Sequence, residues 1–158
     1  MITRDDSATT PVRWRLGEIL LQKQWISWEQ LDFALKAQAI KNNRVGQILL
    51  EHRMIDERQL VKALAIQAGV EFVELSSLDI DLRAINLIPG KVALKYRFMP
   101  IELGQRYILV AFSDPFDEFV KKLVSHIAQG REVAVVVSTP ADIAQTIAVY
   151  YESPSQAA

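Results

Sequence analysis

Apolar residues recur at helical spacing through the first part of the chain and as short continuous runs through the second. From Arg15 to Gln67 they follow steps of three and four residues, broken by short polar turns, which predicts amphipathic helices. From Val70 onward short apolar runs alternate with helical segments. The pattern predicts an α+β fold, with helical hairpins followed by a small α/β subdomain that holds a short mixed sheet. We place these subdomains at 14–69 and 70–151, with a disordered lead-in at 1–13 and a disordered tail at 152–158.

The helical part is a tandem repeat. A shift of 29 residues aligns Arg15–Gln38 with Arg44–Gln67, with 11 identities in 24 positions, and five residues separate the copies. Self-similarity of this kind marks a repeated supersecondary unit. Each copy is predicted to form a short helix, a turn and a second helix.

The turn residues support this prediction in both copies. In the first copy Ser27 and Gln30 form a capping box at the start of the second helix, with Ile26 and Leu31 as a hydrophobic staple. In the second copy Asp56, Gln59, Ile55 and Leu60 hold the same positions.

The α/β part reads as strands and helices separated by turn residues. Gly104–Gln105 is a predicted hairpin turn, and Gly130 is predicted to close a helix. We expect strands at 71–75, 98–103, 107–112 and 132–137, and helices ending near Asn86, over Gly90–Tyr96, from Pro115 to about Gln129, and from Pro140 to about Tyr151.

The repeated arginine, glycine and glutamine are the candidate binding residues. Core packing explains most of the repeated leucines, and a glycine can serve close helix packing, but an arginine and a glutamine rarely serve a core. An arginine fork can bond guanine O6 and N7, stack on a base or meet a phosphate. Two copies suit a ligand that is itself two-fold repeated. These residues are Arg15, Gly17 and Gln38 with Arg44, Gly46 and Gln67.

Composition narrows the functional class. The net charge is −1, so nothing favours non-specific binding to DNA, RNA or an anionic membrane surface. The chain has no cysteine, and its longest apolar runs fall far short of the ~20 residues of a membrane span. The polar segment 1–11 lacks a signal-peptide core. We therefore expect a cytoplasmic domain.

Catalytic chemistry is not apparent in the sequence. A phosphate-binding loop is missing, because Gly90-Lys91-Val92 lacks the first glycine and the hydroxyl residue. His52 and His126 have no partners at metal-ligand spacing, and Ser113 has no evident base. Asp79 and Asp81 fit turn and cap positions. We expect neither an enzyme, nor a metal site, nor a cofactor.

The tandem motif resembles the MshE N-terminal (MshEN) domain family. Its Arg-Leu-Gly start, the leucines of its second helix, its final glutamine and the five-residue spacer carry the resemblance. The α/β part adds an Ile-Pro before a helix, an Ala-x-x-Asp-Pro turn and a terminal helix with tyrosine. Domains of this family form the N-terminal part of type II secretion and type IV pilus assembly ATPases, and they are also found in some bacterial membrane glycosyltransferases.

The resemblance implies a cyclic di-GMP receptor domain in which each motif binds one GMP half. It would control an attached or partner effector in secretion, pilus assembly or exopolysaccharide synthesis. Any association with the inner face of the bacterial inner membrane would be made through the parent protein or a partner. The implied contacts are Arg15, Leu16, Gly17, Leu31, Leu35 and Gln38, then Arg44, Val45, Gly46, Leu60, Leu64 and Gln67, and Asp114 of the Asp-Pro turn.

Three departures from the family pattern leave alternatives open. Gln24 and Arg53 replace turn glycines, for which we expect altered loop geometry, and Val45 replaces a leucine, for which we expect a looser second half-site. One alternative is a protein-docking module for an inner-membrane secretion, pilus or glycosyltransferase partner, without nucleotide binding. Another is a degenerate copy that has no ligand.

Overall fold

The computed structural model describes residues 15–151, so the predicted lead-in and tail lie outside the described part. The chain divides into two compact units, Met1–Ala63 and Leu64–Ala158. The division falls inside a helix that ends at Ala68, close to the boundary expected after residue 69. No helix within residues 15–151 is long and apolar enough to cross a membrane.

Each copy of the repeat folds as a short helix, a turn and a longer helix, as predicted. The first copy contains α1 (Leu16–Gln22) and α2 (Trp28–Lys41). The second contains α3 (Val45–Glu51) and α4 (Glu57–Ala68).

The longer helices begin with the predicted capping boxes. The Ser27 hydroxyl accepts a hydrogen bond from the Gln30 amide at 3.1 Å, and the Ser27 amide donates to Gln30 Oε1 at 2.9 Å. Asp56 and Gln59 repeat the arrangement at 2.8 and 2.9 Å. Each box satisfies two amides that a helix start would otherwise leave unpaired, which fixes where α2 and α4 begin.

Equivalent positions of the two copies form one hydrophobic core in the first unit. Leu20 and Leu49 are completely buried, as are Ala34 and Ala63. The other buried members are Ile19, Ile26, Leu31, Ile48 and Ile55. Core packing therefore accounts for most of the repeated apolar residues, as the sequence predicted.

The second unit is built on a three-stranded mixed sheet. Its strands are β1 (Phe98–Leu103), β2 (Tyr107–Phe112) and β3 (Glu132–Val137), with the bounds predicted from sequence. In the order β1-β2-β3, β1 pairs antiparallel with β2 and β2 pairs parallel with β3. Helix α7 (Glu118–Ile127) makes the crossover that parallel pairing requires. The α+β prediction is thus confirmed.

Three further helices complete this unit: α5 (Leu82–Leu87), α6 (Gly90–Tyr96) and α8 (Pro140–Tyr151). At the end of α8 the Tyr151 hydroxyl donates to the Ile88 carbonyl at 2.9 Å, and its ring lies against Gly90, where a Cβ would approach to 2.8 Å. Burial raises the pKa of Tyr151. The Ile-Pro-Gly turn and the terminal tyrosine noted in the sequence are therefore packing partners.

Two predicted elements of this unit are wrong in part. The segment 71–75 is not a strand: Phe72 makes an isolated parallel bridge to Val137, and Leu75–Ser77 forms a 3₁₀ turn. Helix α7 begins at Glu118 rather than Pro115, because the Asp117 carboxylate accepts the Val120 amide at 3.1 Å and so ends the preceding turn.

Candidate functional site

Residues of the first repeat copy line a cavity of ≈ 450 Å³ in the helical unit. The cavity includes every contact that the family resemblance implied for this copy: Arg15, Leu16, Gly17, Leu31, Leu35 and Gln38. Four further residues complete the lining: Glu18, Leu21, Trp28 and Val45. Of these, Val45 alone was among the predicted contacts.

The two repeated arginines have the same backbone conformation. Arg15 precedes α1 with φ −72° and ψ 148°, and Arg44 precedes α3 with φ −72° and ψ 146°. The start of α1 is further held by Glu18, whose Oε1 accepts the Arg15 amide at 2.8 Å. The second copy has Gln47 at the position of Glu18, so the two motifs differ in charge at this point.

The repeated glycines lie against leucine side chains. A Cβ on Gly17 would lie 2.7 Å from Leu31 Cδ1. A Cβ on Gly46 would lie 2.7 Å from Leu60 Cδ1 and 2.9 Å from Leu16 Cδ2, so the second glycine touches both copies. Close packing against leucine, which the sequence left open, is therefore one reason for glycine at both positions.

The two leucines of α2 differ in their surroundings. Leu31 is 8% exposed and belongs to the core, whereas Leu35 is 48% exposed and forms part of the cavity wall. Trp28 lies seven residues before Leu35, on the same face of α2, and is 73% exposed. Leu35 and Trp28 thus give the cavity an apolar, accessible side.

The predicted contacts of the second copy are divided between the compact units. Arg44, Gly46 and Leu60 belong to the first unit, and Leu64 and Gln67 follow on the part of α4 in the second. The spacing of four and three residues puts Leu60, Leu64 and Gln67 on one face of α4.

Val45 lines the first-copy cavity, although it belongs to the second copy. The shorter valine side chain was expected to loosen the second half-site. Val45 is thus a lining residue of the first-copy cavity as well as a predicted contact of the second motif.

Asp114 lies in the second unit, in the turn between β2 and α7. Its Oδ1 accepts the Phe116 amide at 2.9 Å, which forms an Asx turn around Pro115. The side chain is partly buried.

The glycine replacements in the repeat turns keep a left-handed backbone. Gln24 has a φ of 63° and Arg53 a φ of 58°, a conformation that favours glycine. Both turns thus have a backbone that glycine adopts more readily than glutamine or arginine.

Other candidate groups have structural roles. Asp81 caps α5, accepts the Leu103 amide at 3.2 Å and pairs with Arg83, whose hydrogen bonds lower the pKa of Asp81 to about 2. His52 packs edge-on against Phe33, with ring centres 4.9 Å apart. Across residues 15–151 no three histidine, aspartate or glutamate side chains are grouped to hold a metal ion.

A larger cavity of ≈ 610 Å³ lies in the second unit, beside the Leu75–Ser77 turn and α8. Asp142 on its wall accepts the Leu75 amide and the Ser138 hydroxyl, each at 2.8 Å. The bond to Leu75 fastens α8 to the 3₁₀ turn, and the sequence predicted neither bond.

A family model described as the MshEN domain matches residues 68–157, which is mainly the α/β part. The type IV pilus assembly ATPase PilB of Myxococcus xanthus is 31% identical over 87% of this chain and 24% of its own length. Bacteriophage adsorption protein B of Escherichia coli K12 is 34% identical over 73% of this chain and 15% of its own length. The chain therefore spans a quarter or less of these relatives.

Solved structures match the fold of nearly the whole chain. A structure of MshE with cdg superposes with a TM-score of 0.76 and 28% identity, covering 88% of this chain and all of that one. The N-terminal domain of XpsE matches with a TM-score of 0.55 at 18% identity, covering 96% of this chain and all of that one, so this likeness concerns the fold alone.

Proposed function

Because this chain belongs to the MshEN domain family, a non-catalytic domain type, we propose that it is a regulatory domain that binds cyclic di-GMP through its tandem motifs. The observation that carries the proposal is the ≈ 450 Å³ cavity lined by all six residues implied for the first motif. The likeness to MshE with cdg, the abbreviation of cyclic di-GMP, supports the choice of ligand.

The cavity residues offer the chemistry that a guanine nucleotide needs. Arg15 presents a planar donor fork to guanine or phosphate. Leu35 provides an accessible apolar surface for a ribose or base, and the Gln38 amide can both donate and accept hydrogen bonds. The second GMP half would be bound by Arg44, Gly46, Leu60, Leu64 and Gln67. The equal backbone angles at the two arginines are in keeping with this assignment.

Asp114 would complete the recognition of guanine. A carboxylate accepts hydrogen bonds from guanine N1–H and N2–H, which an arginine cannot do because it only donates. The Phe116 amide holds the Asp114 carboxylate in one orientation, which lowers the entropy lost on binding.

Ligand binding would control an effector attached to this domain or associated with it. The relative named as a type IV pilus assembly ATPase favours an effector in pilus assembly. Secretion and exopolysaccharide synthesis by a membrane glycosyltransferase remain the other settings that the family resemblance implies. If the liganded cytoplasmic domain binds one state of the effector more tightly than the other, the ligand shifts the equilibrium between the two effector states. The size of the shift is set by the difference between the two affinities.

Isothermal titration with cyclic di-GMP tests the proposal. The wild-type chain should release or absorb binding heat, and Arg15→Ala and Arg44→Ala should each weaken binding at least ~10-fold, as expected for loss of a charged hydrogen-bonding group. Arg53→Ala is the matched control, because Arg53 is exposed in a turn and is not an implied contact. Folded wild-type protein that gives no heat at tens of micromolar ligand would refute the proposal.

A second candidate is a docking module for an inner-membrane partner. Four apolar side chains of the second unit are each more than half exposed and so offer apolar contact area: Leu82, Leu94, Phe119 and Val149. A partner pull-down that responds to Leu94→Glu or Phe119→Glu, and is unchanged by cyclic di-GMP, would favour this function.

A further inference from the structure

Trp28 is an exposed aromatic residue on the wall of the first-copy cavity. It is the first residue of α2, its side chain is 73% exposed, and it is not a member of the hydrophobic core of this unit. Leu35, Arg15 and Gln38 line the same cavity. A large flat apolar surface is therefore available beside groups that can bind a nucleotide.

The fold does not require an aromatic residue at this position. The second copy has Glu57 where the first has Trp28, while the neighbouring capping boxes and core positions are equivalent in both copies. Since α4 forms with a glutamate there, Trp28 is not needed to build the helix. Of the two equivalent positions, the one in the first half-site carries an indole and the one in the second does not.

We propose that Trp28 is an affinity-determining residue that stacks on one base of the bound nucleotide, so that the two half-sites are unequal. This inference rests on the proposed cyclic di-GMP function. Indole faces stack well on purine rings, and removal of one such aromatic lowers affinity for a nucleic-acid base by roughly 10-fold to 100-fold. The half-site with Glu57 lacks this contribution and places an acidic side chain on the corresponding face.

Stacking acts on affinity more than on base identity. Every base has a π-face, so the contact at Trp28 discriminates weakly among bases, whereas hydrogen bonds from arginine and carboxylate groups discriminate strongly. Trp28→Ala should therefore weaken cyclic di-GMP and cyclic di-AMP binding by similar factors and leave their ratio nearly unchanged.

Titration of four variants against cyclic di-GMP tests the inference. Trp28→Ala should weaken binding by about 10-fold or more, and Trp28→Phe, which keeps an aromatic face, by a smaller factor. Glu57→Trp should strengthen binding, because it gives the second half-site the same surface. Ile40→Ala is the control, since Ile40 lies on the same helix, is 84% exposed and does not line the cavity.

Intrinsic fluorescence supplies a second readout. The chain has three tryptophans, at positions 14, 25 and 28. A base stacked on Trp28 should quench the wild-type emission, and this quenching should be largely lost in Trp28→Phe while calorimetric binding persists. Circular dichroism and thermal melting establish that each variant is folded.

The outcomes separate the inference from the function on which it rests. If wild-type protein does not bind cyclic di-GMP, both the proposed function and the role of Trp28 are overturned. Wild-type protein that binds, with Trp28→Ala binding equally tightly, overturns this inference and leaves the proposed function standing. Quenching that survives in Trp28→Phe would also overturn it.

Discussion

Gln24 and Arg53, 29 residues apart at the same position of the repeat, share a left-handed backbone with φ of 63° and 58°. Each follows a short helix whose last turn is closed in the same way: the Gln24 amide donates to Leu21 at 2.9 Å, and the Arg53 amide donates to Leu50 at 3.0 Å. The turn therefore imposes its conformation whatever side chain is present. Both residues bear the steric strain that a Cβ meets in this region.

Gln24→Gly and Arg53→Gly should each stabilise the protein. Relief of left-handed strain contributes about 1–2 kcal/mol, and the greater backbone entropy of glycine offsets roughly 0.5–1 kcal/mol, which leaves about 0.5–1 kcal/mol per site. Urea unfolding at equilibrium measures the gain. Lys23→Gly is the control, because Lys23 has a φ of −75° and glycine there should only destabilise. A loss of stability at both turn positions would contradict the strain argument.

Gly46→Ala should destabilise the helical unit more than Gly17→Ala. A methyl group at Gly46 must displace both Leu60 and Leu16, whereas one at Gly17 must displace Leu31 alone. Overpacking of this kind costs about 1–3 kcal/mol. Chemical unfolding of the two variants under the same conditions gives the comparison, and an equal or reversed order would show that the leucines move aside freely.

Arg15→Lys and Arg44→Lys should weaken cyclic di-GMP binding although they keep the positive charge. Lysine is a point charge without the planar fork, so it cannot make a bidentate bond to guanine or phosphate. We expect a loss of roughly 10-fold at each site, the equivalent of about 1.4 kcal/mol. Calorimetry at several salt concentrations checks this, with Arg53→Lys as the control. Wild-type affinity in both variants would mean that the arginines act by charge alone.

Asp81 should contribute an acid-sensitive part of the stability. The hydrogen bonds from the Arg83 side chain, followed by those from the Arg83 and Leu103 amides, lower the pKa of Asp81 from 3.8 to about 2. A carboxylate whose pKa is lower in the folded state stabilises fully above its unfolded pKa, and this contribution is lost as the pH falls from about 4 towards about 2.

The variant Asp81→Asn isolates this contribution. Asparagine can still cap α5, but it has no charge to titrate. The difference in melting temperature between wild type and variant should be largest near neutral pH and should shrink on acidification to about pH 2. A constant difference across that range would rule out the charged pair as its origin.

The sequence predicted those elements whose stabilising interactions are local. Strand β1 and strand β2 are apolar runs separated by a glycine turn, and both repeat helices carry their own capping boxes, so their bounds could be read directly. The segment 71–75 was misjudged because its pairing is confined to a bridge at Phe72, which depends on the end of β3 and has no local sign.

Repetition also limited which site residues could be predicted. Comparison of the two copies selects residues that are identical in both, and it found Arg15, Gly17 and Gln38 in this way. Glu18 and Trp28 line the same cavity but are Gln47 and Glu57 in the second copy, so the comparison passes over them. Only the three-dimensional lining of the cavity brings such unequal residues into view.

Helix α4 has a consequence for how this domain is inherited. It runs without a break over Glu57–Ala68, while the compact units divide between Ala63 and Leu64. A recombination point at that division would cut the helix in its middle and separate Leu60 from Leu64 and Gln67. We therefore expect recombination to transfer the repeat and the α/β subdomain together. Recombination points should be tolerated before the repeat or after the α/β subdomain, but not between the two.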